Sequence, residues 1–168
     1  MSNVQNFEDI LSLGKFNEDR IDNWLKKNNP DIKIEIVGPV IQSLGIDRII
    51  TNPEGIRFSA EYKSDNRIAS TGNIFLELIR YKQTNTKGWA YTSIANYIYI
   101  LSPKDGKLFI IDAALMKCKL FDTSDGWLKT CKQVNNQTKV QSGTTYDAVG
   151  LLVPVHDFEV MCDDVTTI

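Results

Sequence analysis

The chain has 168 residues and a formal net charge of −2, a length that argues for one domain over 1–168 with a single core. At 42% hydrophobic and 24% charged, with ten glycines and five prolines, the composition excludes disordered, fibrous and repeat classes. The most apolar stretches, Ile94 to Leu101 and Gly150 to Val155, fall far short of the ~20 residues of a membrane helix. The N-terminus carries Glu8 and Asp9 where a secretory leader would be basic, so the expected location is the cytoplasm, with no membrane partner.

In chain order, Phe7, Ile10 and Leu11 recur at helical spacing, and Ile21, Trp24 and Leu25 repeat the pattern after Gly14. This predicts two helices broken at Gly14, the second capped by Asn17 and ended by Asn28-Asn29-Pro30. Three strands follow, Ile32 to Val37, Ile46 to Thr51 and Ile56 to Lys63, the last two joined by a turn at Asn52-Pro53-Glu54-Gly55. A loop or helical turn from Asp65 to Thr71 leads through Gly72-Asn73 to a strand Ile74 to Tyr81, then a polar loop Gln83 to Lys87. Ala90 to Asn96 reads as a short helix feeding a strand Tyr97 to Leu101. Pro103 to Gly106 turns the chain into a strand Lys107 to Ile111, and Asp112 caps a helix through Lys119. The polar segment Thr123 to Thr145 yields only a helical turn near Trp127 to Lys132. Leu151 to Val155 is the final strand, before an acidic tail. The pattern is an α/β sandwich around a mixed sheet.

Cys118, Cys131 and Cys162 are odd in number and lack a Cys-x-x-Cys pair, which argues against a disulfide framework or a zinc site. His156 is the only histidine, so multi-histidine metal sites are excluded. It has no serine or cysteine neighbour to make a nucleophile pair and reads as structural or exposed. Carboxylates, lysine, hydroxyls and a hard cation remain for chemistry.

The informative stretch is Asp47 to Lys63. Side chains two apart on a strand share a face, so Glu61 and Lys63 emerge together. In a hairpin turned at Asn52 to Gly55, Asp47 at the start of one strand faces Glu61 at the end of the next. Two carboxylates suit magnesium, which fills the rest of its shell with water and substrate phosphate. The plainer alternative is a solvated charge pair worth ~0.2–1 kcal/mol.

Asp47 followed by Glu61-x-Lys63 resembles the core motif of the PD-(D/E)xK nuclease superfamily. The stretch EYKSDNRIASTGNIFLEL is similar to a group of small phage and bacterial proteins of that superfamily, in which E-x-K precedes an aspartate, an alanine, Thr-Gly-Asn and a glutamate. Gly88, Thr92, Ala95, Asn96 and Tyr97 continue the likeness, which spans about Glu18 to Asp112. Asn96 stands where an aspartate is more usual, and Ile46 where a proline precedes the motif's first acid. The resemblance implies a restriction-endonuclease-like mixed β-sheet flanked by helices. It further implies metal-dependent hydrolysis of phosphodiester bonds with Mg2+ or Mn2+. In that scheme Asp47, Glu61 and the Tyr62 main-chain carbonyl hold the metal, and Lys63 orients the attacking water.

Two more glutamates join the candidates. Glu18 shares a helix face with Ile21 and Leu25, and the superfamily often supplies a metal-binding glutamate from its first helix; a first-turn acid favoured by the helix dipole is the alternative. Glu77 alternates with Asn73 and Phe75, opposite Ile74, Leu76 and Leu78, and is a candidate for a second metal or for orienting Lys63. Asn73 reads as a turn former, and Trp24, Trp89 and Trp127 as core or loop anchors. Lys63, Arg67, Arg80, Lys82 and Lys87 form one basic stretch, Lys117 to Lys139 a second, while Asp147, Asp157, Glu159, Asp163 and Asp164 gather near the C-terminus. The expected partner is nucleic acid, DNA first; a homodimer is left open. The alternatives are a nuclease fold without activity serving as a phage-type binding or inhibitor module, and an RNA-directed nuclease.

Overall fold

The computed structural model describes residues 7–139 and 145–168; the side chains of Phe7, Glu8, Asp9, Ile10, Leu11, Thr138, Lys139, Thr145 and Tyr146 lie outside what it describes. The elements in order are α1 (Phe7–Asn28), β1 (Lys33–Ile36), α2 (Pro39–Gln42), β2 (Arg48–Thr51), β3 (Arg57–Ser64), α3 (Ile68–Thr71), β4 (Asn73–Tyr81), β5 (Thr86–Lys87), α4 (Trp89–Thr92), β6 (Tyr97–Ser102), β7 (Lys107–Asp112), α5 (Ala113–Phe121), α6 (Trp127–Thr130), β8 (Lys132–Lys139), β9 (Thr145–Pro154), α7 (Val155–Glu159) and β10 (Asp164–Thr167). They build a mixed α/β fold of two sheets. The six-stranded sheet has the order β1-β2-β3-β6-β7-β10, and the four-stranded sheet β5-β4-β9-β8. Only β3 and β6 pair in parallel among the described strands.

Strand alternation sorts the six-stranded sheet into two cores. On one face Ile50, Ala60, Tyr62, Tyr99, Leu101, Leu108 and Ile110 pack with Ile21 and Leu25 of α1. On the other, Ile98, Ile100, Phe109 and Ile111 meet Ile74, Leu76, Leu78, Leu151 and Val153 of the four-stranded sheet, closed by Met116, Leu120, Trp127 and Phe158. The layers are therefore helix, sheet and sheet with helices. Continuous apolar runs such as those in β6 and β7 follow from burial on both faces.

The expected meander is present: β1, β2 and β3 pair antiparallel. Its Asn52 to Gly55 turn is closed by Asn52 Oδ1, which accepts from the Ile56 amide at 2.8 Å, with Gly55 at φ 82°. Asp112 caps α5 by accepting from the Leu115 amide at 2.9 Å.

Four expectations are corrected. The N-terminal helices are one, α1, which runs through Gly14; a helical glycine costs only ~1 kcal/mol against alanine, too little to break a helix packed through Ile21 and Leu25. Asn17 is no cap: it is 2% exposed within α1 and donates to Ser64 Oγ at 3.2 Å. The polar stretch before residue 140 is largely strand β8, whose edge position lets it carry polar residues. Leu151 to Val155 is not the final strand, since the acidic tail carries another: β10 pairs with β7, Asp163 accepts from the Asp112 amide at 2.9 Å, and Glu159 pairs with Lys107. No helix among the described residues is long and apolar enough to cross a membrane.

Candidate functional site

β3 places Glu61 and Lys63 on the face opposite Ala60 and Tyr62, the side turned toward the four-stranded sheet. The β2–β3 ladder ends at the pair Arg48 and Ala60, which sets Asp47 beside Glu61 as the hairpin geometry predicts. Past that point Asp47 takes over the strand edge: its amide donates to the Ala60 carbonyl at 2.9 Å, and its Oδ2 accepts from the Tyr62 amide at 2.7 Å. The amide and carbonyl of one strand residue point the same way, so the Tyr62 carbonyl is turned to this edge too.

Glu61 is 3% exposed, yet only one of its oxygens is satisfied. Oε1 meets Lys63 Nζ at 2.5 Å, while Oε2 is buried with no hydrogen-bond partner. Leaving a buried polar atom unpaired costs ~1–3 kcal/mol, more when it is charged. The space beside Oε2 exists because residue 45 is glycine. A Cβ on Gly45 would stand 2.8 Å from Oε2 and 2.6 Å from the Ser93 backbone, and Gly45 has φ +75°. Ser93 Oγ pins this loop by donating to the Gly45 carbonyl at 2.9 Å.

These groups open into a cleft of about 370 Å³, lined on one side by the Gln42 to Gly45 loop and on the other by Glu77, Arg80, Lys87, Trp89 and Thr92. Burial pushes the Glu77 carboxyl above the usual glutamate range and the Glu61 charge adds to this, while Arg80, the Trp89 amide and Lys63 pull it down. A bulge in β4 falls at this point, where Glu77 pairs with Gly150 but Ile79 with Val149; such irregularities re-aim side chains.

Of the sequence-derived candidates, Asp47, Glu61, Lys63 and Glu77 line one cleft. Glu18 stands apart. It lies on the α1 side of the sheet and binds Arg48 Nη2 at 2.9 Å, while Asp22 takes Arg48 Nε at 3.0 Å and the Tyr62 hydroxyl at 3.0 Å. Burial raises the Glu18 carboxyl, and Arg48 opposes the shift. Arg48, 2% exposed, also donates to the Asp47 carbonyl at 3.0 Å, so this network braces the acid of the cleft from behind.

Other expectations find plain positions. Asn73 shapes a turn, its Nδ2 donating to the Thr71 carbonyl at 2.6 Å after Gly72 at φ 65°. His156 is exposed beside Asp157, and the three cysteines are free thiols. Trp127 is a core anchor, 2% exposed and stacked on Phe158 at 5.5 Å. Asn96, the departure from the motif, ties β3 to β6: its Oδ1 accepts from the Ser59 amide at 2.8 Å and hydroxyl at 2.9 Å. Of the first basic stretch, Lys63, Arg80 and Lys87 reach the cleft, while Arg67 turns to Asp65 and Asn136. Sequence reasoning did not single out Gly45, whose signal is a glycine two residues before an acid, nor give Trp89 a place in the cleft.

The donor set fits a hard divalent cation. Two carboxylates, one with a buried and unpartnered oxygen, and a main-chain carbonyl on the same edge are the oxygen ligands that magnesium or manganese accepts, leaving positions for water. Among the described residues no group of three or more His, Cys, Asp or Glu side chains is arranged to hold a metal, so such a cation would rest on few protein ligands and be completed by water and substrate. Compared with family models, with curated proteins and with solved structures, the chain matches none.

Proposed function

We propose that the protein is a metal-dependent nuclease of the PD-(D/E)xK type, hydrolysing phosphodiester bonds, in DNA first. The observation that supports this reading best is the unpartnered Oε2 of buried Glu61 beside Asp47 and Lys63. A fold under selection for stability alone would satisfy that oxygen or replace it, whereas a cation site holds it in reserve. Asp47, Glu61 and the Tyr62 carbonyl would hold Mg2+ or Mn2+. When bound, the cation supplies Lewis-acid polarisation of the phosphate and a more acidic water.

The chain's own residues do the rest. Lys63, tethered to Glu61 Oε1 at 2.5 Å, positions the attacking water and opposes the charge that grows on the phosphoryl oxygens. Glu77, lifted by burial, is placed to exchange a proton with the cleft. Arg48, which grips the Asp47 carbonyl from the opposite side, fixes the acid that the cation needs. The Glu61–Lys63 pair also suits a non-catalytic binding module of the same fold, and one experiment separates the two.

Purified protein is incubated with linear, circular and single-stranded DNA and with RNA, in magnesium, manganese or EDTA. The nuclease reading expects cleavage that needs the cation and disappears in Glu61→Gln and Lys63→Ala, with unchanged circular dichroism. Lys63→Ala should keep cation binding by calorimetry, because its contribution belongs to the transition state. Absent cleavage of every substrate would favour the binding module, and cleavage that persists in EDTA would overturn the metal-dependent reading.

A further inference from the structure

The cleft holds an aromatic side chain that the chemistry above does not use. Trp89 opens α4 on the wall facing Glu61, is only half-buried, and has its ring centroid 5.9 Å from Lys63 Nζ. It is held firmly. Its amide lies against the Glu77 carboxylate, the next residue, Ala90, is fully buried, and the Gly88 amide donates to the Leu78 carbonyl at 2.7 Å. Gly88 admits no side chain, since a Cβ there would stand 2.3 Å from the Glu77 carbonyl oxygen. A large ring on a rigid support, partly open to a polar cleft, is what base stacking needs.

Cations flank the ring. Arg80 and Lys87 are exposed at the mouth of the same cleft, and Lys87 Nζ rests 4.7 Å above the Tyr91 ring. The volume of about 370 Å³ lies near the low end of the ~300–1,000 Å³ that accommodates one small ligand. We propose that this cleft takes one unpaired nucleotide of a polynucleotide, with its base stacked on Trp89, its phosphate at Lys63, and neighbouring phosphates on Arg80 and Lys87. The proposal rests on the nucleic-acid reading above and narrows it. A base that lies on Trp89 while its phosphate sits at Lys63 has left its own stack, so the substrate is a single strand, an overhang or a splayed end, not an intact duplex.

The test is a fluorescence titration of the full chain with oligo(dT), oligo(U) and a blunt-ended hairpin duplex. Calcium replaces magnesium, so that the cleft carboxylates are neutralised without relying on turnover. Trp127 is buried and Trp24 lies on α1, beyond the far face of the sheet, which leaves Trp89 as the reporter. Both unpaired oligomers should quench tryptophan emission, and the stronger quencher identifies DNA or RNA as the partner. Trp89→Phe should keep binding but lose the quenching. Trp89→Ala should weaken binding roughly 5- to 150-fold. Arg80→Ala with Lys87→Ala should lower the slope of log affinity against log salt by about 1.4, two single-strand phosphate contacts.

Quenching that persists in Trp89→Phe, no quenching in the wild type, or duplex bound as tightly as single strand would each overturn the proposal. Cation-dependent cleavage left unchanged in Trp89→Ala would overturn it while sparing the nuclease reading. Quenching without any cleavage would sink the nuclease reading and keep the nucleotide cleft.

Discussion

The two faces of the β2–β3 hairpin treat buried charge in opposite ways. On the α1 face, Arg48 answers Glu18 and Asp22, and Asp22 in turn accepts from Tyr62; the atom left over there is the neutral Asn17 Oδ1. On the cleft face, Glu61 is as buried as Arg48 but leaves a carboxylate oxygen without a partner. Closed networks of ions serve geometry, because removing one member strands the others. An open one costs stability and is kept where something else binds. One hairpin thus carries a scaffold on one side and the candidate site on the other, with Asp47 touched by both.

The largest effect expected from breaking this contrast is Arg48→Met, which strands Asp22 and Glu18. Urea unfolding should show a loss of ~3–5 kcal/mol, and a loss below 1 kcal/mol would mean that the network is not a closed unit. Gly45→Ala comes next. A left-handed backbone and a Cβ 2.6 Å from the Ser93 backbone should cost ~1–3 kcal/mol, and cation affinity should fall with it as Glu61 is displaced. Unaltered calorimetric affinity in a folded Gly45→Ala would argue that Oε2 does not face the cation.

Glu61→Gln should change unfolding stability by less than ~1 kcal/mol, because it removes a half-satisfied charge along with its pairing to Lys63. The smallest effect is a pH dependence. Burial raises Glu77 above the ordinary glutamate range, near ~4.3, so the folded state holds this proton more tightly than the unfolded chain. Stability contributed by the protonated form is complete below the unfolded value and is lost as pH rises through the folded one. Glu77→Gln should therefore flatten the fall in melting temperature from pH 4 upward; a steeper fall in the variant would refute the assignment.

Much of the arrangement was legible from local rules. Alternation along Ala60, Glu61, Tyr62 and Lys63 sorts core from cleft, and the turn at Asn52 to Gly55 sets the register that brings Asp47 to Glu61. Glu18 shows where such rules stop. Its helix face was readable, but its partner, Arg48, was not, because a strand arginine carries no periodic signal of being buried. Gly14 misled for a related reason: helix propensity is weak against the tertiary packing of Ile21 and Leu25. β8 was hidden since an edge strand of lysine, glutamine and asparagine has no apolar alternation, and β10 since four residues, Asp164 to Thr167, are too few to show one before they pair with β7. Trp89 entered the cleft through the close approach of Gly88 to Glu77, which no local pattern in the sequence signals.

The parallel pairing of β3 with β6 has a consequence for the order in which the molecule assembles. Parallel neighbours need a long crossover, and here it contains β4, β5 and α4; the Ser59–Asn96 hydrogen bonds that lock its ends join residues 37 apart in sequence. Loop-closure entropy must be met before such a contact returns anything. The β2–β3 hairpin with Asp47 and Glu61 is local and can close on its own, whereas the wall with Glu77, Arg80 and Trp89 arrives only with the crossover. In a pulse-labelling hydrogen-exchange experiment, hairpin amides should gain protection before those of β6. The acidic half of the cleft is then in place before the half that would recognise a polymer.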